Sequence, residues 1–140
     1  MRHNILNDIQ VILTDLDGTL IDTDQANNLA YRKAIDSYMP YMEVPVVKRI
    51  TKEVIDKYCT NEVLAEKIQK EKSGYNSQFL DYTYLNKELI KFLIINKSTT
   101  KVCLVTKASP ERVIQLIDHH NCAKLFDKIF FCKDIHNKYQ

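Results

Sequence analysis

The spacing of apolar residues changes several times along the chain, and each change marks an element. Ile9 to Leu13 (Ile-Gln-Val-Ile-Leu) is a short β-branched run that leads at once into Asp15-Leu16-Asp17-Gly18-Thr19. It predicts a buried strand ending in a loop. From about Thr23 to Met39, Ala26, Leu29, Ala30, Ala34 and Ile35 recur at helical spacing. Pro40 and Pro45 punctuate the next stretch of chain. A second helix is expected over about Val46 to Tyr58, with Val47, Ile50, Val54, Ile55 and Tyr58 on one face, and a third over about Asn61 to Lys72, striped by Val63, Leu64 and Ile68. Gly74 is expected to break that pattern. Leu85 to Ile95 reads as another helix, and Lys101 to Thr106 as a second strand. Ser109-Pro110 is a cap and first-turn pair for a helix to about His120. Phe126 to Phe131 reads as a third strand.

Strand, long helical section, strand, helix, strand is an α/β order, which argues for a parallel sheet with covering helices. The helical section is too long for a single crossover. It predicts an inserted all-helical subdomain over residues 23–84, with the α/β core formed by residues 1–22 and 85–140. His119-His120 falls at a helix end, where adjacent side chains point to different faces; a surface role is expected rather than joint metal ligation.

Composition narrows the partners more than the fold. Lys and Arg number 20 against 18 Asp and Glu, with the signs interspersed, so nothing suggests a nucleic-acid or anionic-membrane surface. No apolar run approaches the roughly 20 residues of a membrane span. Met1-Arg2-His3-Asn4 leads into polar residues rather than a signal-peptide core, and a cytoplasmic protein is expected. Cys59, Cys103, Cys122 and Cys132 form no close pair of the zinc-binding or redox kind, so reduced thiols are expected.

The chemistry concentrates at Asp15 and Asp17. Two carboxylates two residues apart, just past an apolar strand, stand where doubly wound sheets place their ligand sites. An extended backbone would direct both side chains the same way. Like charges held together need a cation or a proton between them. A hard divalent ion with oxygen ligands answers that need, and Mg²⁺ suits phosphate chemistry. Gly18 is one of only two glycines in the chain, and it allows a backbone geometry or a close approach that a Cβ would block. The plainer alternative is a solvated Asp-Gly turn.

Val11-Ile12-Leu13-Thr14-Asp15-Leu16-Asp17-Gly18-Thr19-Leu20-Ile21-Asp22-Thr23 resembles the first motif of the haloacid dehalogenase-like (HAD) superfamily. That resemblance implies a Rossmann-like sheet, with the helical insertion in the place of a type 1 cap. It implies a phosphatase-like hydrolase acting on a small phosphorylated metabolite. Asp15 would be the nucleophile, Asp17 the general acid and base, and Mg²⁺ would be held by Asp15 and the Asp17 carbonyl. Val102-Cys103-Leu104-Val105-Thr106 resembles the second motif, which makes Thr106 a phosphoryl partner. Gly18, Thr19, Lys107 and Ala108 would contact substrate. Phosphatase-like members often carry Asn where Lys107 stands. Leu125-Phe126-Asp127-Lys128-Ile129 is similar to the stretch before the third motif, whose lysine would be Lys138, with Lys133 as the alternative. The family's fourth, acidic motif has no counterpart before Gln140, since Asp134 comes too early. The resemblance thus covers nearly the whole chain but about the first two-thirds of a family domain. An impaired module that binds a phosphorylated ligand or a protein, and a phosphotransferase or phosphomutase, are the other readings it permits.

Overall fold

The computed structural model describes residues 11–132. In chain order the elements are β1 (Val11–Asp15), β2 (Ile21–Asp22), α1 (Asp24–Tyr38), α2 (Lys52–Tyr58), α3 (Glu62–Tyr75), β3 (Tyr84–Leu85), α4 (Lys87–Asn96), β4 (Lys101–Thr106), α5 (Pro110–His119) and β5 (Lys128–Phe131). The described residues form two compact units: those up to Asp22 with those from Tyr84 onward, and Thr23–Thr83.

The first unit is an α/β layer structure. Its parallel sheet has the order β1-β4-β5. β1 pairs with β4 from Val11↔Lys101 to Asp15↔Val105, and β4 pairs with β5 from Cys103↔Lys128 to Thr106↔Phe131. β4 is flanked on both sides, and every residue in it except Lys101 is buried. That continuous Val-Cys-Leu-Val-Thr run is what a central parallel strand requires. β1 has a neighbour on one side only among the described residues. Val11 and Leu13 are 48% and 61% exposed, so the expected buried strand is half-buried. It also reaches Asp15 itself rather than stopping at Leu13.

Local capping sets the helix boundaries of this unit. The Ser109 hydroxyl accepts from the Arg112 N–H at 3.3 Å and Pro110 opens α5, whose Val113, Leu116 and Ile117 are buried. The helix expected from Leu85 begins at Lys87, because Asn86 caps it by accepting from the Leu89 N–H at 3.1 Å. Tyr84 and Leu85 are instead strand residues, paired antiparallel with Asp22 and Ile21. A two-residue strand is too short to leave a period in the sequence.

The second unit is helical. Tyr31, Ala34 and Ile35 of α1 pack with Ile50, Ile55, Cys59, Ala65 and Ile68 to form its core. α2 is shorter than the apolar pattern predicts. Residues 46–50 are irregular because their backbone is bonded to α1: Asn27 Nδ2 donates to the Ile50 carbonyl at 2.8 Å and Asn28 Nδ2 to that of Lys48 at 3.0 Å, while Asn28 Oδ1 accepts from the Ile50 N–H at 2.8 Å. The Thr51 hydroxyl then caps α2 by accepting from the Val54 N–H at 3.3 Å. Gly74 does not stop α3, which runs through it to Tyr75. A helical glycine costs only about 1 kcal/mol, and Tyr75 is held by donating to Glu71 at 2.8 Å. Glu71 also accepts from Tyr38 of α1 at 3.1 Å, so it ties α1 to α3.

All four cysteines carry free thiols. No helix among the described residues is long and apolar enough to cross a membrane.

Asp127 anchors the start of β5. Its carboxylate accepts from the Val102 N–H at 2.8 Å and its own N–H donates to the Val102 carbonyl at 2.7 Å, with Lys97 Nζ 3.8 Å from the carboxylate. The Val102 N–H, followed by Lys97 and Lys101, holds the Asp127 carboxyl below its ordinary range. A carboxylate held down in the folded state contributes stability that is present above its unfolded pKa. That contribution is lost as pH falls through the folded value. The urea midpoint is therefore expected to drop on acidification below the usual aspartate range. Asp127→Asn should lower the midpoint at neutral pH and flatten the drop. An unchanged acid limb in that variant would remove Asp127 from the account.

Candidate active site

β1 delivers Asp15 to the carboxyl end of the sheet, and the chain then folds back on itself. The Leu16 carbonyl accepts N–H groups from Thr19 at 3.3 Å, Leu20 at 3.0 Å and Ile21 at 3.1 Å, and the Gly18 N–H donates to the Ile21 carbonyl at 2.8 Å. Gly18 has φ +78°. A Cβ built there meets no atom within 4 Å, so the positive φ, not crowding, is what calls for glycine. Leu16, Leu20 and Ile21 are fully buried and pin the turn from below. Asp15 and Asp17 are left half-buried, with Gly18 and Thr19 exposed. Asn86 adds a clamp from the other side of the β2–β3 pair: its N–H donates to the Leu20 carbonyl at 2.8 Å and its Nδ2 to that of Thr19 at 3.1 Å.

The β1–β4 register brings the second motif to the same end. Asp15 lies opposite Val105, so Thr106 is one residue further along the neighbouring strand. Thr106 is buried, and its hydroxyl accepts from the Ala108 N–H at 3.0 Å. That bond uses a lone pair and leaves the hydroxyl proton to be donated. Lys107 is exposed and Ala108 half-buried in the loop before α5. Asp15, Asp17, Gly18, Thr19, Thr106, Lys107 and Ala108 thus gather at one sheet edge. Lys138, Lys133 and Asp134 lie outside the described residues.

The sequence alone does not point to one neighbour of this group. Arg112 Nη2 donates to Asp17 Oδ1 at 2.8 Å, with the two side chains 17% and 32% exposed. The signal is present in outline: Ser109-Pro110 fixes the start of α5, which puts Arg112 in the first turn after the strand that carries Thr106. No pattern of residue types announces the ion pair itself. His119 and His120 sit at the other end of α5, with their rings edge to face and 5.0 Å apart.

The donor set can be tested against a magnesium ion. Among the described residues no three His, Cys, Asp or Glu side chains gather as a metal cluster. Mg²⁺ does not demand such a cluster, because it usually keeps several waters and binds through one or two carboxylates plus substrate phosphate. The Asp15 carboxylate and the Asp17 carbonyl, hard oxygens at one strand end, fit that mode.

The model of the haloacid dehalogenase-like hydrolases matches residues 12–139. The chain belongs to that family. Solved structures of HAD-like proteins share its fold. One named as a predicted phosphoglycolate phosphatase, from Haemophilus somnus, superposes with TM-score 0.70 at 14% identity, covering 91% of this chain and 64% of its own. A HAD-superfamily hydrolase of subfamily IA from Geobacter sulfurreducens gives TM-score 0.69 at 14% identity, covering 92% and 65%. The HAD-hydrolase YfnB from Bacillus subtilis, solved bound to magnesium, gives TM-score 0.63 at 14% identity, covering 91% and 67%. The chain spans slightly less than two-thirds of the length of the first two. No curated protein matches it.

Within this HAD-like chain the Gly18 turn is the constraint most open to mutation. Gly18→Ala should lower unfolding stability by about 1 kcal/mol, the cost of a left-handed residue with a Cβ. Urea denaturation measures it. A neutral effect would mean that the turn relaxes to negative φ.

Proposed function

We propose that this chain carries the phosphoryl-transfer site of a Mg²⁺-dependent phosphomonoester hydrolase that acts on a small phosphorylated metabolite. The observation that supports this reading best is the parallel register that puts Thr106 beside the end of the Asp15–Asp17 strand. Asp15 attacks phosphorus, the bond from phosphorus to the ester oxygen breaks, and an aspartyl-phosphate forms. Asp17 gives a proton to the departing alkoxide. It then takes one from the water that attacks the aspartyl-phosphate, and inorganic phosphate leaves as Asp15 is restored. Thr106 donates its hydroxyl proton to a phosphoryl oxygen, where charge develops. The N–H groups and side chains around Gly18, Thr19, Lys107 and Ala108 line the substrate. Lys138, or Lys133, neutralises the nucleophile and the phosphate. Bound Mg²⁺ would offset the negative charge of the phosphoryl group. The helical unit Thr23–Thr83, placed in the sequence between the two motifs, serves as the cap that selects the substrate.

Hydrolysis of p-nitrophenyl phosphate with Mg²⁺ tests the central assignment. Asp15→Asn should reduce kcat by at least about a thousandfold, as loss of a nucleophile does, and a chelator should abolish turnover until Mg²⁺ is restored. Equal rates in wild type and Asp15→Asn would sink the reading.

The role of Asp17 has its own signature. p-Nitrophenolate leaves without help, whereas a simple alkoxide needs the proton. Asp17→Asn should therefore slow hydrolysis of an alkyl phosphate by a further factor of about a hundred or more relative to p-nitrophenyl phosphate. A loss that is the same for both substrates would argue against acid catalysis by Asp17.

A further inference from the structure

Among the described residues, the Arg112 guanidinium is paired with Asp17. Nη2 donates to Asp17 Oδ1 at 2.8 Å, while Nε is buried and has no acceptor among the described residues. A guanidinium offers five N–H donors in a planar fork. A buried donor without an acceptor is an unfavourable state that a better partner would relieve. The site is expected to receive a phosphoryl group, which carries about two negative charges and three acceptor oxygens. Such a group matches the fork better than one carboxylate oxygen does. Arg112 is also well placed to meet it, on the first turn of α5 directly after the Thr106–Ala108 loop.

We propose that Arg112 is a phosphoryl-binding residue for which Asp17 is the resting partner. When a phosphomonoester binds, the guanidinium turns to the phosphoryl oxygens and Nε gains an acceptor. The Asp17 carboxylate is then released toward the leaving-group oxygen. No covalent bond forms or breaks in this exchange. The inference rests on the phosphatase reading, and it adds to that reading a cation from α5 that lies outside the three motifs. The competing account makes Arg112 a strut that only ties α5 to the Gly18 turn through Asp17.

Inorganic phosphate is the probe, titrated calorimetrically into the full chain with Mg²⁺ present. Arg112→Gln should weaken phosphate binding by about tenfold or more, the scale of one charge-assisted hydrogen bond. Arg112→Lys, which keeps the charge but not the fork, should fall between. The decisive comparison removes the Asp17 acceptor first: Asp17→Ala against Asp17→Ala with Arg112→Gln. A strut has nothing left to hold in that background, so equal affinities there overturn the proposal. A tenfold loss supports it. Should the Arg112→Gln variants fail to fold, the wild-type protein carries the test through the Nε–H resonance of Arg112. That resonance should shift as phosphate saturates the site, and saturation without a shift overturns the proposal. If phosphate does not bind the wild-type protein at all, the phosphatase reading fails as well, which is a different result from loss of Arg112 alone.

Discussion

The parallel hydrogen bonding of β1 to β4 fixes which residues can meet at the candidate site. Parallel strands start at one edge of a sheet and finish at the other, so the residues just beyond their ends emerge together. With Asp15 opposite Val105, the turn after β1 and the loop after β4 leave the sheet at the same level. A slip of one residue would turn the side chains of β1 over and exchange its two faces. The burial of β4 on both faces favours this register, and at the far end Asp127 ties a second strand to β4. Its bonds to both backbone groups of Val102 join the start of β5 to β4.

The turn after β1 illustrates how apolar burial and backbone hydrogen bonding divide the work. Leu16, Leu20 and Ile21 are fully buried, and one carbonyl, that of Leu16, gathers three N–H groups. Those anchors fix the backbone that carries the two carboxylates, while Gly18 supplies the left-handed residue that closes the loop. Arg112, a cation from a different element, is ion-paired with Asp17.

Much of the fold is legible in the sequence because its signals are local. Lys101 to Thr106 is legible to the residue, since a central parallel strand shows as an unbroken apolar run. α5 is legible because Ser109-Pro110 is a start signal that acts through its own backbone. The features that escape the sequence involve partners distant along the chain. The shortened α2 depends on Asn27 and Asn28, which take over the backbone of residues 47–50, and apolar spacing carries no trace of that. The β2–β3 pair consists of two residues on each side and gains its meaning only when Tyr84 is seen beside Asp22. The candidate site divides in the same way. Asp15, Asp17 and Thr106 are visible as motif residues at strand ends, whereas Arg112 is not, because an ion pair between residues 17 and 112 comes from the folded arrangement alone.

The pairing of Asp22 with Tyr84, reinforced by the grip of Asn86 on Leu20 and Thr19, has a consequence for how such a chain can change over time. It makes the departure and return points of Thr23–Thr83 neighbours, fastened to the same small hairpin. For a segment whose two ends meet, the entropic cost of closing the loop rises only slowly with its length, by roughly 0.6 kcal/mol per doubling. Such a segment can be lengthened, trimmed or exchanged for another without disturbing the strands that carry the carboxylates. The hairpin therefore behaves as a socket, and a new specificity could be acquired by replacing what is plugged into it while the chemistry beneath stays as it is.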